Sequence, residues 1–260
     1  MSSGIILETL HLRREFDGLV AVNDVSIQVR AGQLYAIIGP NGAGKTTLFN
    51  LISGVLKPSA GRVLFRGQDI TGLPPYRIAR LGLGRSFQIT NLFPNLTVLE
   101  NVRLAAQAQG KDNLRFWVSY RHLRPYEDRA REVIQQVGLT GREYVPARFL
   151  PHGDQRKLEI AILLASDPDL LLLDEPTAGM ASEEIPLLVE TIRRIWEQGD
   201  RTILLVEHKM DIVMTISDTV TVMHQGRVLA EGTPAQIMAN EEVQRAYLGE
   251  MTEAEGTYGG

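Results

Sequence analysis

The sequence predicts an α/β chain with an antiparallel β part at its start, a parallel sheet covered on both sides, and a helical insert between the two halves of that sheet. Three observations carry this. Apolar residues recur every second position through residues 5–30, with Val20 and Val22, then Val25, Ile27 and Val29, as in half-buried strands. From about Gln88 to Leu150 the spacing turns helical. From Leu170 to Ile216 short apolar strands alternate with helical runs, the rhythm of a parallel sheet with crossover helices.

Taken in order, Leu34–Ile38 reads as a buried strand ending at Gly39, and a helix starts near Lys45 and stops at Gly54. Arg62–Phe65 is a strand followed by a turn at Arg66-Gly67-Gln68-Asp69. Thr97-Val98-Leu99-Glu100 is a capping box, and its helix runs toward Gly110. Ala130, Val133, Ile134 and Val137 form one apolar stripe that Gly138 ends. Another helix follows Gly153, with Leu158, Ala161, Ile162 and Ala165 on one face. Strand Leu170–Leu173, helix Glu184–Trp196, strand Thr202–Val206 and helix Met210–Ile216 come next. A hairpin is expected around His224-Gln225-Gly226, and Thr233-Pro234-Ala235-Gln236 caps a last helix. Met251–Gly260, poor in apolar residues, reads as a loose tail.

Composition narrows the function. With 260 residues, 44% hydrophobic and 22% charged, the chain has the makeup of one globular domain of moderate size, with or without an insert. A net charge of -4 points away from nucleic acid as a partner. The absence of cysteine excludes disulfides, zinc–thiolate clusters and thiol nucleophiles. The start lacks the basic head and apolar stretch of a secretory leader, and no apolar run reaches the ~18–20 residues of a membrane span. Work at a membrane is therefore expected to be done from its side.

Gly39-Pro40-Asn41-Gly42-Ala43-Gly44-Lys45-Thr46 fits G-x-x-x-x-G-K-[ST] between a buried strand and a helix. Glycines let consecutive amides turn inward onto phosphate oxygens, and the following helix adds its positive end. Lys45 is expected on the β- and γ-phosphates and the Thr46 hydroxyl on Mg²⁺. Leu170–Leu173 ends in Asp174-Glu175-Pro176, so two acids stand at the end of a buried strand, where α/β proteins bind ligands. Asp174 is expected to hold Mg²⁺ through water and Glu175 to polarise the attacking water, because phosphoryl transfer needs positioning and charge stabilisation more than covalent chemistry. His208, at the end of the strand Thr202–Val206, is placed for the γ-phosphate. Gln88, opening the insert, is placed for Mg²⁺ or water, and Phe16 can offer a ring face to adenine.

These residues in this order resemble the ATP-binding cassette family over about residues 5–250. The resemblance implies a RecA-like P-loop core with the N-terminal antiparallel β subdomain, at about 5–87 and 166–250, and the helical subdomain at about 88–165. It implies ATP held by Phe16, Val22, Gly39, Pro40, Asn41, Gly42, Ala43, Gly44, Lys45, Thr46, Thr47 and Gln88. Mg²⁺ would lie at Thr46, Gln88 and Asp174, with Glu175 as base and His208 as switch. Arg85-Ser86-Phe87-Gln88, Leu158-Glu159-Ile160-Ala161, Ala178-Gly179-Met180 and Ala246-Tyr247-Leu248-Gly249-Glu250 look most like the ATPase of branched-chain amino acid importers. Such a subunit works at the cytoplasmic face of the membrane with separate permease subunits, an extracytoplasmic binding protein and a second cassette, identical or different. A short permease helix would dock near Gln88 and Ile89–Leu96.

Cassettes pair head to tail, each ATP lying between one phosphate loop and the other subunit's signature loop, usually LSGGQ. Here that loop is Leu150-Pro151-His152-Gly153-Asp154. Pro151 brings neither hydroxyl nor amide hydrogen, and Asp154 adds a negative charge. Ala181 stands where the family carries an acid. With a different cassette as partner, the two ATP sites are expected to be unequal. A lipopolysaccharide exporter resembles the C-terminus but fits the middle less well. A soluble cassette ATPase would join two cassettes or insert a coiled coil, and a switch GTPase would need N-K-x-D where this chain has His208-Lys209-Met210-Asp211.

Overall fold

A computed structural model describes residues 4–86, 92–108, 124–198 and 201–247. They belong to two compact units, Met1–Ile78 with Thr202–Gly260, and Ala79–Arg201. Gln88, Gly110, Leu248 to Glu250 and the tail from Met251 lie outside the described residues.

In the first unit, β1 (Ile5–Phe16) and β2 (Leu19–Arg30) form the long antiparallel hairpin that two-residue alternation predicts, turning at Asp17-Gly18. β3 (Leu34–Ile38) has every residue buried, and α1 (Lys45–Ile52) follows. β4 (Ala60–Phe65) pairs with the other side of β1, and β5 (Gln68–Asp69) pairs back onto β4. The expected turn is therefore shorter than its sequence suggested. Arg66 and Gly67 make it with positive φ, while Gln68 and Asp69 return as strand. α2 (Pro75–Arg80) starts on a proline, suited to a first helical turn.

In the second unit, β6 (Leu83–Arg85) precedes α3 (Val98–Ala108), α4 (Arg124–Gln136) and α5 (His152–Ala165), which pack on one another. β7 (Leu170–Asp174), entirely buried, lies parallel to β6, and α6 (Ile185–Gln198) follows. The capping box of α3 forms as expected: Glu100 N–H donates to Thr97 Oγ1 at 3.2 Å, and Thr97 N–H donates to Glu100 Oε2 at 2.9 Å. The buried Asn101 carboxamide ties Phe93, Leu96 and Thr97 to the helix. The Thr97 backbone N–H first, and its hydroxyl second, hold the Glu100 carboxyl below its usual range. A carboxyl so depressed stabilises the fold at and above that range and loses the contribution as pH falls from it through the depressed folded value. Thr97→Ala is expected to cost ~1 kcal/mol in thermal unfolding at neutral pH, and the gap to the parent should narrow in acid.

The chain then returns to the first unit. β8 (Thr202–Val206), α7 (Met210–Ile216), β9 (Thr219–His224), β10 (Arg227–Gly232) and α8 (Pro234–Met238) follow in order. β3 pairs in parallel with β8 on one side and β9 on the other, and β10 closes on β9 as the predicted hairpin. Ala36, Ile38, Val213, Val220, Val222 and Ile237 form a buried cluster around this sheet. The buried Tyr35 hydroxyl bonds to Thr221 and Glu231, and burial followed by the Glu231 charge pushes its pKa upward. Thr233 and Gln236 make the predicted capping box of α8.

Candidate functional site

The glycine-rich loop leaves the buried end of β3 and is shaped by backbone from three directions. Gly39 has φ +151, and a Cβ there would stand 2.1 Å from the Met223 carbonyl oxygen of β9. Gly44 has φ +96, and a Cβ there would stand 2.3 Å from the Ala21 carbonyl oxygen of β2. Gly226, in the β9–β10 turn, donates its N–H to Ala43 O at 3.1 Å. The loop is thus pressed against β2 and β9 so closely that side chains at Gly39 and Gly44 have no room.

Lys45 is 4% exposed and donates from Nζ to Gly39 O at 2.6 Å and Pro40 O at 2.8 Å. Its ammonium therefore lies along the loop's own carbonyls. Thr46 and Thr47 are half-buried in the first turn of α1, which carries no acidic residue. A buried cation beside the positive end of a helix is an arrangement that could receive an anion. A pocket of about 700 Å³ lies beside the loop, lined by Asn41, Gly42, His224, Gln225, Glu242 and Arg245 among others. Lys45 and Thr46 are not among its lining residues.

Phe16 is half-buried at the end of β1, where the Arg14 guanidinium sits 4.5 Å from its ring centroid and covers one face. Val22 is fully buried in β2. His208 is exposed two residues beyond β8, and its N–H donates to the carboxylate of the buried Glu207 at 3.1 Å. The first unit therefore holds the loop, the aromatic and the histidine.

The second unit holds the acids. β7 delivers Asp174 with its side chain 0% exposed, and Arg85, 8% exposed, meets Asp174 Oδ2 at 2.9 Å. Burial pulls the Arg85 guanidinium below its ordinary value, and the Asp174 charge partly restores it. Ser86 completes the clamp: its N–H donates to Leu172 O at 2.9 Å, and its Oγ accepts the Asp174 N–H at 3.1 Å. Glu175 follows with φ +49, a left-handed conformation that costs a non-glycine residue ~1–3 kcal/mol and clusters at functional sites.

Leu150 is buried, Pro151 and His152 are exposed, and α5 begins on Pro151 without a side-chain cap. A carboxylate 31 residues away takes up that role: Gly153 N–H donates to Glu184 Oε1 at 3.3 Å. Asp154 meets Arg142 Nε at 3.1 Å and Lys157 Nζ at 3.4 Å, so its charge is compensated within the chain. Arg85, Ser86 and Glu184 are contributions that the sequence reading did not assign. Arg85 and Ser86 stand in the Arg85-Ser86-Phe87-Gln88 run, a signal available in the sequence, whereas the reach of Glu184 to α5 has no local signature.

The sequence matches the family described as ABC transporter over residues 22–178, and that described as branched-chain amino acid ATP-binding cassette transporter over residues 227–252. It is similar to the high-affinity branched-chain amino acid transport ATP-binding protein LivG of Escherichia coli (strain K12), with 43% identity over 94% of this chain and 98% of that one. The corresponding protein BraF of Pseudomonas aeruginosa is 41% identical, again over 94% and 98%. Among solved structures, an ATP-binding cassette of an ABC transporter in its ADP conformation aligns with a TM-score of 0.83 and 30% identity, covering 95% of this chain and 100% of that one. The expected α/β cassette fold and the expected ATPase activity are borne out by these relatives. The phosphate loop thus lies in a known setting, and the chain belongs to the ABC transporter family as an ATP-binding subunit that hydrolyses ATP.

Proposed function

We propose that this chain energises the import of branched-chain or related amino acids through separate permease subunits, working at the cytoplasmic face of the membrane. The observation that carries the substrate class is the branched-chain family match over residues 227–252, a stretch outside the general cassette match. No helix among the described residues is long and apolar enough to cross a membrane, which suits a subunit that leaves the crossing to other chains. The permease would dock on the helical subdomain, about residues 88–165, near Ile89–Leu96. Phe93 and Phe149 are 57% and 64% exposed on adjoining segments there, joined where Ala147 N–H donates to Leu96 O. Exposed aromatics of this kind are common at protein interfaces. The extracytoplasmic binding protein would act through the permease.

In the ATP reaction, the loop amides and Lys45 hold the phosphates, and Phe16 stacks on adenine with its free face. Among the described residues no three His, Cys, Asp or Glu side chains gather into a metal site. Thr46 on the first unit and Asp174 on the second each offer an oxygen of the kind Mg²⁺ prefers, an ion that takes most of its ligands from phosphate and water. When bound, it neutralises charge developing on the phosphates. Glu175 orients and deprotonates the attacking water, while His208 and Gln88 read the γ-phosphate and the metal-side water. A second cassette supplies the opposing signature loop.

The test is to produce this chain alone and together with a second cassette chain, permease and extracytoplasmic binding protein, in vesicles, and to measure Mg²⁺-dependent ATP hydrolysis and uptake of leucine, isoleucine and valine. ATP-dependent uptake of these amino acids is the expected result. Robust hydrolysis with uptake only of unrelated solutes would overturn the substrate assignment, and no ATP-driven uptake of any kind would overturn the transport role.

A further inference from the structure

We propose that Arg85 is a positioning residue for the metal-side acid, holding Oδ2 of the Asp174 carboxylate in place so that the group presents correctly to the divalent cation of a bound nucleotide. The proposal rests on the reading of Asp174 as the acid nearest Mg²⁺. β6 and β7 lie parallel with Arg85 opposite Leu172, so the Arg85 side chain reaches forward along β7 to Asp174. The ion pair is 2.9 Å long and almost wholly removed from water, with side-chain exposures of 8% and 0%. An acid so buried needs a counter-charge in place, because an unpaired buried carboxylate is strongly disfavoured.

Charge alone does not account for the arrangement. The next residue, Ser86, takes the Asp174 N–H on its hydroxyl and bonds twice to Leu172 O, so consecutive residues fix the backbone and the carboxylate of Asp174 together. A guanidinium is a rigid planar donor and sets the orientation of the carboxylate it grips, whereas an ammonium supplies charge without that constraint.

The experiment measures binding of a fluorescent ADP analogue to the purified full chain, with EDTA and across a Mg²⁺ titration. Arg85→Met is expected to raise the Mg²⁺ concentration at half-effect by ~10-fold or more, the scale on which outer partners of metal ligands act, while metal-free affinity changes by less than ~2-fold. Arg85→Lys should fall between, at ~3-fold, because charge is kept and orientation is lost. A merely structural role would lower thermal stability and leave the Mg²⁺ half-effect where it was, and that result overturns the proposal. If Arg85→Met is insoluble, Arg85→Lys carries the same test, and an unchanged Mg²⁺ half-effect in that variant overturns the proposal equally. Asp174→Asn separates the two layers. A raised Mg²⁺ half-effect with Asp174→Asn but not with the Arg85 variants removes Arg85 alone, whereas no response to Asp174→Asn removes the reading of Asp174 itself.

Discussion

Glu175→Gln should reduce Mg²⁺-dependent ATP turnover of the assembled transporter by ~100-fold or more while nucleotide affinity stays within ~2-fold. The substitution keeps size and hydrogen-bonding capacity but removes the proton acceptor. Glu175 leaves the end of the fully buried β7 in a left-handed conformation, so its backbone direction is imposed by the fold. If the partner is a different cassette, the same change in the partner's base should cost far less, within ~3-fold, because that site would close against Leu150–Asp154 of this chain. Two structural details bear on the inequality. The charge of Asp154, an apparent obstacle to a neighbouring polyphosphate, is met by Arg142 and Lys157, which weakens that objection. The Gly153 N–H, a backbone donor of this loop, is already turned to the Glu184 carboxylate, and Pro151 offers no donor at all, which strengthens the case for unequal sites. Equal losses from the two substitutions, measured as steady-state phosphate release, would sink the unequal-site reading and leave the ATPase assignment standing.

The parts of the fold that were legible in the sequence are those whose signals are local. β3 and β8 are short, largely apolar strands, the α3 and α8 starts are capping boxes, and the β9–β10 turn carries Gln225-Gly226; each lies where its residues predict. β6 and α2 escaped because they are short and weakly patterned: β6 is three residues with a glycine at its centre, and α2 is six residues with one buried side chain. β5 escaped because two polar, exposed residues in a turn region look alike whether or not they pair. The site divides the same way. The phosphate loop and the Asp174-Glu175 pair announce themselves by spacing, but the partners that hold them do not. Ala21, Met223 and Gly226 act through backbone, to which sequence pattern is nearly blind, and Glu184 acts across a separation that no periodicity links to α5. Val22, expected beside the nucleotide, is a core residue by exposure, since the alternation that makes it a good strand residue also turns it inward.

Gly39→Ala should destabilise the chain by about 3 kcal/mol or more and abolish nucleotide binding, whereas Gly42→Ala, in the same loop, should cost only ~1–2 kcal/mol and leave a folded protein. The motif alone does not distinguish the two. Both have positive φ, +151 and +77, but only at Gly39 does an added carbon meet something: the Met223 carbonyl at 2.1 Å, with a second contact to Ala43 at 3.2 Å. That carbonyl belongs to β9, which is paired with β3 over Thr219–Val222 and with β10 at Met223, so it cannot retreat without disturbing the strands that carry the loop. At Gly42 an added Cβ has nothing within 4 Å, and its cost is conformational alone. Thermal unfolding and binding of a fluorescent ADP analogue measure the pair side by side. A Gly39→Ala protein within ~1 kcal/mol of the parent would mean that β9 yields, and the close seat of the loop against Met223 would not be what shapes it. If instead the two variants separate as expected, contact between loop and sheet backbone sets which glycine is indispensable, and Lys45 can meet a phosphate only because the chain beneath it leaves no space for a side chain.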